Sequence, residues 1–224
     1  RFADAGYVFP KPLIEIDNKP MIQWVIESLN FNANYIFIIQ KEHQEKYNIK
    51  SVLKILQPNC KIIELDHVTE GAACTTLLAK EFINNSDPLI IANSDQYINW
   101  NSSKALYDFN SKNLDGAILT FEAIHPKWSY AKCNDDGFVT EVAEKKVISK
   151  NATVGVYYWK HGSDYVQSAE NMIKKNIRVN NEFYVCPVYN EFLLKNKKVK
   201  IHNVEKMWGL GTPEDLNNFL RTIK

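Results

Sequence analysis

Short apolar runs alternating with helix-forming stretches limit this chain to few folds. The 35–39 run (Tyr-Ile-Phe-Ile-Ile) and Leu89–Ala92 are apolar enough to be strands buried on both faces, and 60–65 and 116–121 read as further strands. Between them lie helical patterns. Residues 20–31 put Met21, Trp24, Val25, Ser28 and Leu29 on one stripe, a polar stretch runs to Leu56 before Pro58, and 71–82 and 101–112 follow. Strand–helix alternation of this kind predicts an α/β fold with a mixed, mainly parallel sheet flanked by helices.

Beyond about residue 125 the rhythm changes. Residues 130–133, 138–142 and 153–158 read as strands, and Asn134-Asp135-Asp136-Gly137 is a hairpin turn, so antiparallel strands are expected to join the same sheet. Helices are expected over 163–176 and 185–196, a strand over 199–204, and a last helix over 213–223 with Thr212 as its cap and Pro213 in its first position. No repeat or low-complexity linker interrupts this, which predicts one compact unit.

Charge narrows the partners. With 27 basic and 26 acidic residues the net charge is +1, which gives no general pull toward nucleic acid or an anionic membrane. No apolar run reaches the roughly 18 residues a membrane helix needs. Cys60, Cys74, Cys133 and Cys186 have no paired spacing and read as reduced thiols of a cytoplasmic protein. The five histidines show no metal-binding spacing, and no Gly-x-Ser-x-Gly elbow is present.

The residues that point to chemistry cluster in a few places. Arg1 and Lys11 bracket a short loop, and a guanidinium fork with an ammonium makes a cradle for phosphate oxygens. No strand or Gly-rich turn stands ahead of Arg1, so the chain is expected to begin inside a motif whose other half precedes it. Asp95 follows Leu89–Ala92 within Asn93-Ser94-Asp95, at the carboxyl end of a strand where open sheets bind ligands. A carboxylate there suits Mg²⁺, and the more ordinary reading is the cap of the helix near Asn101 or the closing of a turn. Gly71 and Ala72 open a helix whose free N–H groups suit a base edge or a phosphate, with a plain cap by Thr69 as the alternative. Glu144-Lys145 suits an acceptor's polar body and phosphate, or an ordinary exposed strand end. Glu182 and Tyr184 lie in an aromatic segment that suits core or a pocket wall.

In this order, the segments resemble the nucleotidylyltransferases that make activated sugars, which have a glycosyltransferase-A-like fold. The resemblance rests on Arg1-Phe2, on Lys11-Pro12-Leu13-Ile14-Glu15-Ile16, and on Lys19-Pro20-Met21-Ile22. It continues through Gly71, Asp95, Glu144-Lys145, Val154-Gly155-Val156-Tyr157 and Gly211-Thr212-Pro213-Glu214-Asp215-Leu216, spanning nearly the whole chain. It implies a single domain over 1–224, with about 1–125 binding the nucleotide and about 126–224 the acceptor. Arg1 and Lys11 would hold the NTP phosphates, Gly71, Ala72 and Asn93 the nucleotide, and Asp95 the Mg²⁺. Glu144, Lys145, Gly155, Glu182 and Tyr184 would hold a small phosphorylated acceptor. The resemblance extends to members in bacterial capsule and surface-polysaccharide clusters, which implies a role in making precursors for such polymers.

One position departs from the family pattern. An Asp usually stands two residues before the late Gly-Thr, as a second metal ligand, and here Gly209 occupies that place. Glu205 or Glu182 substitutes, or one carboxylate and the phosphates hold the ion, or activity is lost or altered. A glycosyltransferase using a nucleotide sugar and a non-catalytic nucleotide-binding module are the competing readings.

Overall fold

The computed structural model describes residue 2 and residues 4–223. The chain forms two compact units: one from 1–67, 93–102 and 205–224, the other from 68–92 and 103–204.

In the first unit, Asp17 and Asn18 adopt positive φ (47° and 63°) and turn strand Glu15–Ile16 back on Lys19–Pro20. Helix Met21–Leu29 follows and buries Met21, Ile22, Val25, Ile26, Ser28 and Leu29, close to the expected stripe. It ends at Asn30, whose left-handed backbone stops the helix as a glycine commonly does. Ile36–Gln40 and Lys61–Leu65 pair in parallel. The helical stretch between them is two helices, Lys41–Tyr47 and Ile49–Leu56, because Asn48 is also left-handed. Strands Gln96–Asn99 and Lys206–Gly209 pair antiparallel. Tyr97 and Trp208, one from each, pack 5.6 Å apart, and Tyr97 lies 5.7 Å from Trp24 and 5.1 Å from Phe219 of helix Pro213–Ile223. That helix starts as expected, with the Thr212 hydroxyl accepting the Asp215 N–H at 3.1 Å.

The second unit is organised around Asn151–Trp159, buried from Ala152 to Trp159. Gly116–Glu122 runs antiparallel along one edge. Tyr130–Cys133 and Leu89–Ala92 share the other, Leu89–Ala92 pairing with Val156 to Trp159. Val139–Ala143 adds beyond Tyr130–Cys133, and Val199–Asn203 pairs in parallel with Gly116–Glu122. Tyr130–Cys133, Val139–Ala143 and Asn151–Trp159 thus join the sheet of Leu89–Ala92 and Gly116–Glu122, as expected. Ile36–Gln40 and Lys61–Leu65 form a separate sheet, as do Gln96–Asn99 and Lys206–Gly209, so the strands do not make one sheet. The α/β fold with a mixed sheet flanked by helices is present, but among the described residues parallel pairing is confined to two strand pairs. The reason is that antiparallel neighbours line both edges of the long buried strand. Trp159 stacks on Tyr189 at 4.0 Å and meets Tyr165 and Phe192, which packs helices Gly162–Lys174 and Val188–Leu193 onto the sheet.

Candidate active site

In the first unit the site is built on Lys11 and Asp95. Lys11 opens a 3-10 turn, Lys11–Leu13, pinned by Leu13 N–H to the Pro10 carbonyl (2.8 Å) and Ile14 N–H to the Lys11 carbonyl (3.2 Å). Its Nζ lies 3.0 Å from Asp95 Oδ2, both side chains being part-exposed (39% and 26%). A pair this accessible to water contributes about 0–1 kcal/mol to folding, so either charge can be exchanged for a ligand at little cost. The late glycine-rich segment lies against the same carboxylate. Leu210 N–H donates to the Asp95 carbonyl (2.8 Å), and a Cβ on Gly211 would stand 2.9 Å from Asp95 Oδ2. Gly211 therefore keeps the space beside the carboxylate open. Asn93 is exposed. Arg1 lies outside the described residues.

Gly209 faces Gln96 at one end of its strand pair, whereas Lys206, next to Glu205, faces Asn99 at the other. Four residues of extended chain place Glu205 on the order of 13 Å along the ladder from Gly209. Its carboxylate is held by Asn99 Nδ2 at 2.9 Å. Glu182 belongs to the second unit. Among the described residues no three His, Cys, Asp or Glu side chains form a metal-binding group. A single carboxylate beside an open space fits Mg²⁺, which takes one or two carboxylates when substrate phosphates complete its shell.

In the second unit Glu144, Lys145, Glu182 and Tyr184 form one electrostatic group. The Ser129 hydroxyl donates to Glu144 Oε2, and burial pushes the Glu144 carboxyl above the usual carboxylate range. Lys145 takes a left-handed backbone (φ 54°), which its N–H secures by donating to the Trp128 carbonyl at 3.1 Å. Its ammonium donates to the Tyr184 hydroxyl at 2.5 Å and sits 4.5 Å over the Tyr184 ring. That hydrogen bond, with the negative charges of Glu144 and Glu182, raises the Lys145 pKa. Gly155 is buried at φ 74°, inside an irregularity that re-aims the strand between Thr153 and Tyr157. Ser129 behind Glu144 escaped the sequence reading, since a serine in a turn after Trp128 carries no distinguishing pattern.

Gly71 does more than permit close approach in general. Its φ of 131° and ψ of 173° belong to a region open essentially to glycine alone. A Cβ there would lie 2.5 Å from both the backbone N and O of Phe183. Around it, Phe183 N–H donates to the Glu70 carbonyl (2.8 Å) and Ala73 N–H to the Phe183 carbonyl (2.9 Å). Thr69 does not cap the helix: its hydroxyl bonds the Gly71 carbonyl and the Thr75 hydroxyl, and Gly71 itself is the cap residue. Ala72 is exposed at the first position of helix Ala72–Leu77. The four cysteines are free, and no described helix is long and apolar enough to cross a membrane.

A family model described as "Nucleotidyl transferase" matches residues 1–221. The bifunctional protein GlmU of Thermotoga sp. (strain RQ2) is 24% identical over 212 residues, covering 92% of this chain and 46% of that protein. A mannose-1-phosphate guanyltransferase of Aspergillus oryzae is 25% identical over 169 residues, covering 66% of this chain and 43% of its own length. The chain spans about half the length of the curated relatives it matches. The crystal structure of a nucleoside-diphosphate-sugar pyrophosphorylase from Vibrio cholerae RC9 superposes with a TM-score of 0.82 at 22% identity, covering 99% of this chain and 95% of that one.

Proposed function

The chain belongs to the nucleotidyl transferase family, and from that premise we propose that it transfers NMP from an NTP to a phosphorylated sugar or similar small phosphorylated acceptor. An acceptor phosphate oxygen attacks the α-phosphorus, the new P–O bond forms, and the bond to the β-phosphate breaks to release pyrophosphate. The acceptor phosphate is already ionised near neutral pH, so no general base is needed, and the protein's task is alignment and charge neutralisation.

The observation that carries the reading is the Lys11–Asp95 pair beside Gly211. In this reading Lys11 leaves Asp95 for the α-phosphate, and Arg1 takes the β- and γ-phosphates. Asp95 would hold Mg²⁺, which would supply charge neutralisation to the triphosphate. Gly71, Ala72 and Asn93 border the nucleotide. Lys145 takes the acceptor phosphate, while Glu144, Glu182, Tyr184 and Gly155 receive its polar body. We assign about 1–125 to nucleotide binding and about 126–224 to acceptor binding, in a cytoplasmic enzyme supplying precursors for a bacterial capsule or surface polysaccharide.

The test is a panel of NTPs with Mg²⁺, crossed with sugar 1-phosphates and other phosphorylated acceptors and read by pyrophosphate release. Release that requires both substrates supports the proposal. Transfer from a nucleotide sugar without pyrophosphate points to a glycosyltransferase, and tight NTP binding with no turnover points to a non-catalytic module.

A further inference from the structure

The segment carrying Glu182 and Tyr184 and the segment carrying Gly71 and Ala72 are bound to each other, and one arginine secures the junction. Val179 and Glu182 exchange both backbone hydrogen bonds (3.0 and 2.9 Å) across Asn180 and Asn181, whose φ values of 47° and 64° make a two-residue hairpin turn. Beyond the turn, Phe183 is 1% exposed and joins the Gly71 segment through the two backbone bonds described above. Arg178 spans the junction. Its Nη2 donates to Glu70 Oε2 (2.5 Å), its Nη1 to the Asn181 carbonyl (3.2 Å) and its Nε to Asn176 Oδ1 (2.6 Å). Its guanidinium carbon lies 3.9 Å over the Phe183 ring. Only a planar fork reaches all of these partners while covering a ring, which a lysine cannot do.

We infer that Arg178 is a positioning residue that fixes the nucleotide-side segment at Gly71 and the acceptor-side segment at Tyr184 to each other, so that both subsites depend on a side chain assigned to neither substrate. The inference rests on the nucleotidyl-transfer reading for what the two segments bind. The junction itself stands apart from that reading.

Two measurements on Arg178→Ala and Arg178→Lys test it. In substrate-free protein, hydrogen exchange at the Ala73 and Phe183 amides should quicken about tenfold in both variants, while Tyr157 and Tyr158 amides keep their protection. With an NTP and acceptor pair that turns over, KM for both substrates should rise together by roughly 5–10-fold, and kcat should change less. A lowered folded fraction would reduce kcat alone. Should Arg178→Ala fail to fold, Arg178→Lys carries the test, since it keeps the charge and loses the fork. Unchanged exchange at Ala73 and Phe183 overturns the inference, as does a KM change confined to one substrate. Faster exchange in a protein that turns over no pair leaves the junction standing and removes the nucleotidyl-transfer reading.

Discussion

Replacing Gly71 by alanine should cost this protein a large share of its stability through one methyl group. The added Cβ would lie 2.5 Å from two backbone atoms of Phe183, a distance no real Cβ contact tolerates, and backbone cannot swing aside as a side-chain tip can. Forcing a non-glycine residue into a backbone near φ 131° costs about 1–3 kcal/mol. Relieving the overlap separates residues 70–73 from Phe183 and strains two hydrogen bonds, each about 1 kcal/mol net and more if its buried donor is left unpaired. The sum is about 3–5 kcal/mol, a melting point lower by about 10 °C for a chain of this size. Gly6→Ala is the control. It has positive φ (84°) but nothing within 4 Å, so only strain remains, about 1 kcal/mol or 2–4 °C. The assay is calorimetry on both variants, with hydrogen exchange at Phe183. A Gly71→Ala protein melting within about 2 °C of the parent, its Phe183 amide still protected, would refute the reasoning.

Gly211→Ala makes the opposite case: the atom 2.9 Å from its new Cβ is a carboxylate tip, so Asp95 turns away, melting barely changes, and Mn²⁺ affinity in the presence of NTP falls. Electron paramagnetic resonance reads that affinity, and an unchanged value contradicts the idea. Lys11→Ala should cut kcat by on the order of 10²–10³, the scale of losing one transition-state donor, with little change in melting because its ion pair is part-exposed. Near-parent turnover removes that role. For Glu144→Gln the sign follows from burial, which raises the folded carboxyl pKa above its unfolded value. The stability this group contributes is full below the unfolded pKa and is lost as pH rises through the folded one. The variant should therefore gain melting temperature relative to the parent between pH 4 and pH 7, while acceptor kcat/KM drops about tenfold for loss of a charged acceptor. A difference in melting point that stays flat across that range contradicts the assignment.

The strands read most easily from sequence were the apolar runs at 35–39 and 89–92, but the expectation that they are buried on both faces fails: Ile39 is buried and the other residues of the two runs are only half-buried. Gln96–Asn99 and Lys206–Gly209 were not legible. Each is four residues long with polar or glycine ends, and each is a strand only because the other pairs with it from far along the chain. Left-handed Asn48 splits what periodicity shows as one helix, and 71–82 likewise resolves into Ala72–Leu77 and Lys80–Ile83. At the candidate site, Lys11, Asp95 and Glu144-Lys145 could be proposed from sequence because charge types recur at ordered places in a known pattern. Ser129 under Glu144 and Arg178 over Phe183 were not, since tertiary approach alone gives them meaning.

The most direct test follows the α-phosphorus. With α-³²P-labelled NTP, Mg²⁺ and the acceptor that supports pyrophosphate release, the account predicts label in a new acceptor-linked diphosphate, in step with the pyrophosphate, and loss of both in Asp95→Asn. Label recovered only as free NMP, or a diphosphate product formed equally well by Asp95→Asn, would contradict it.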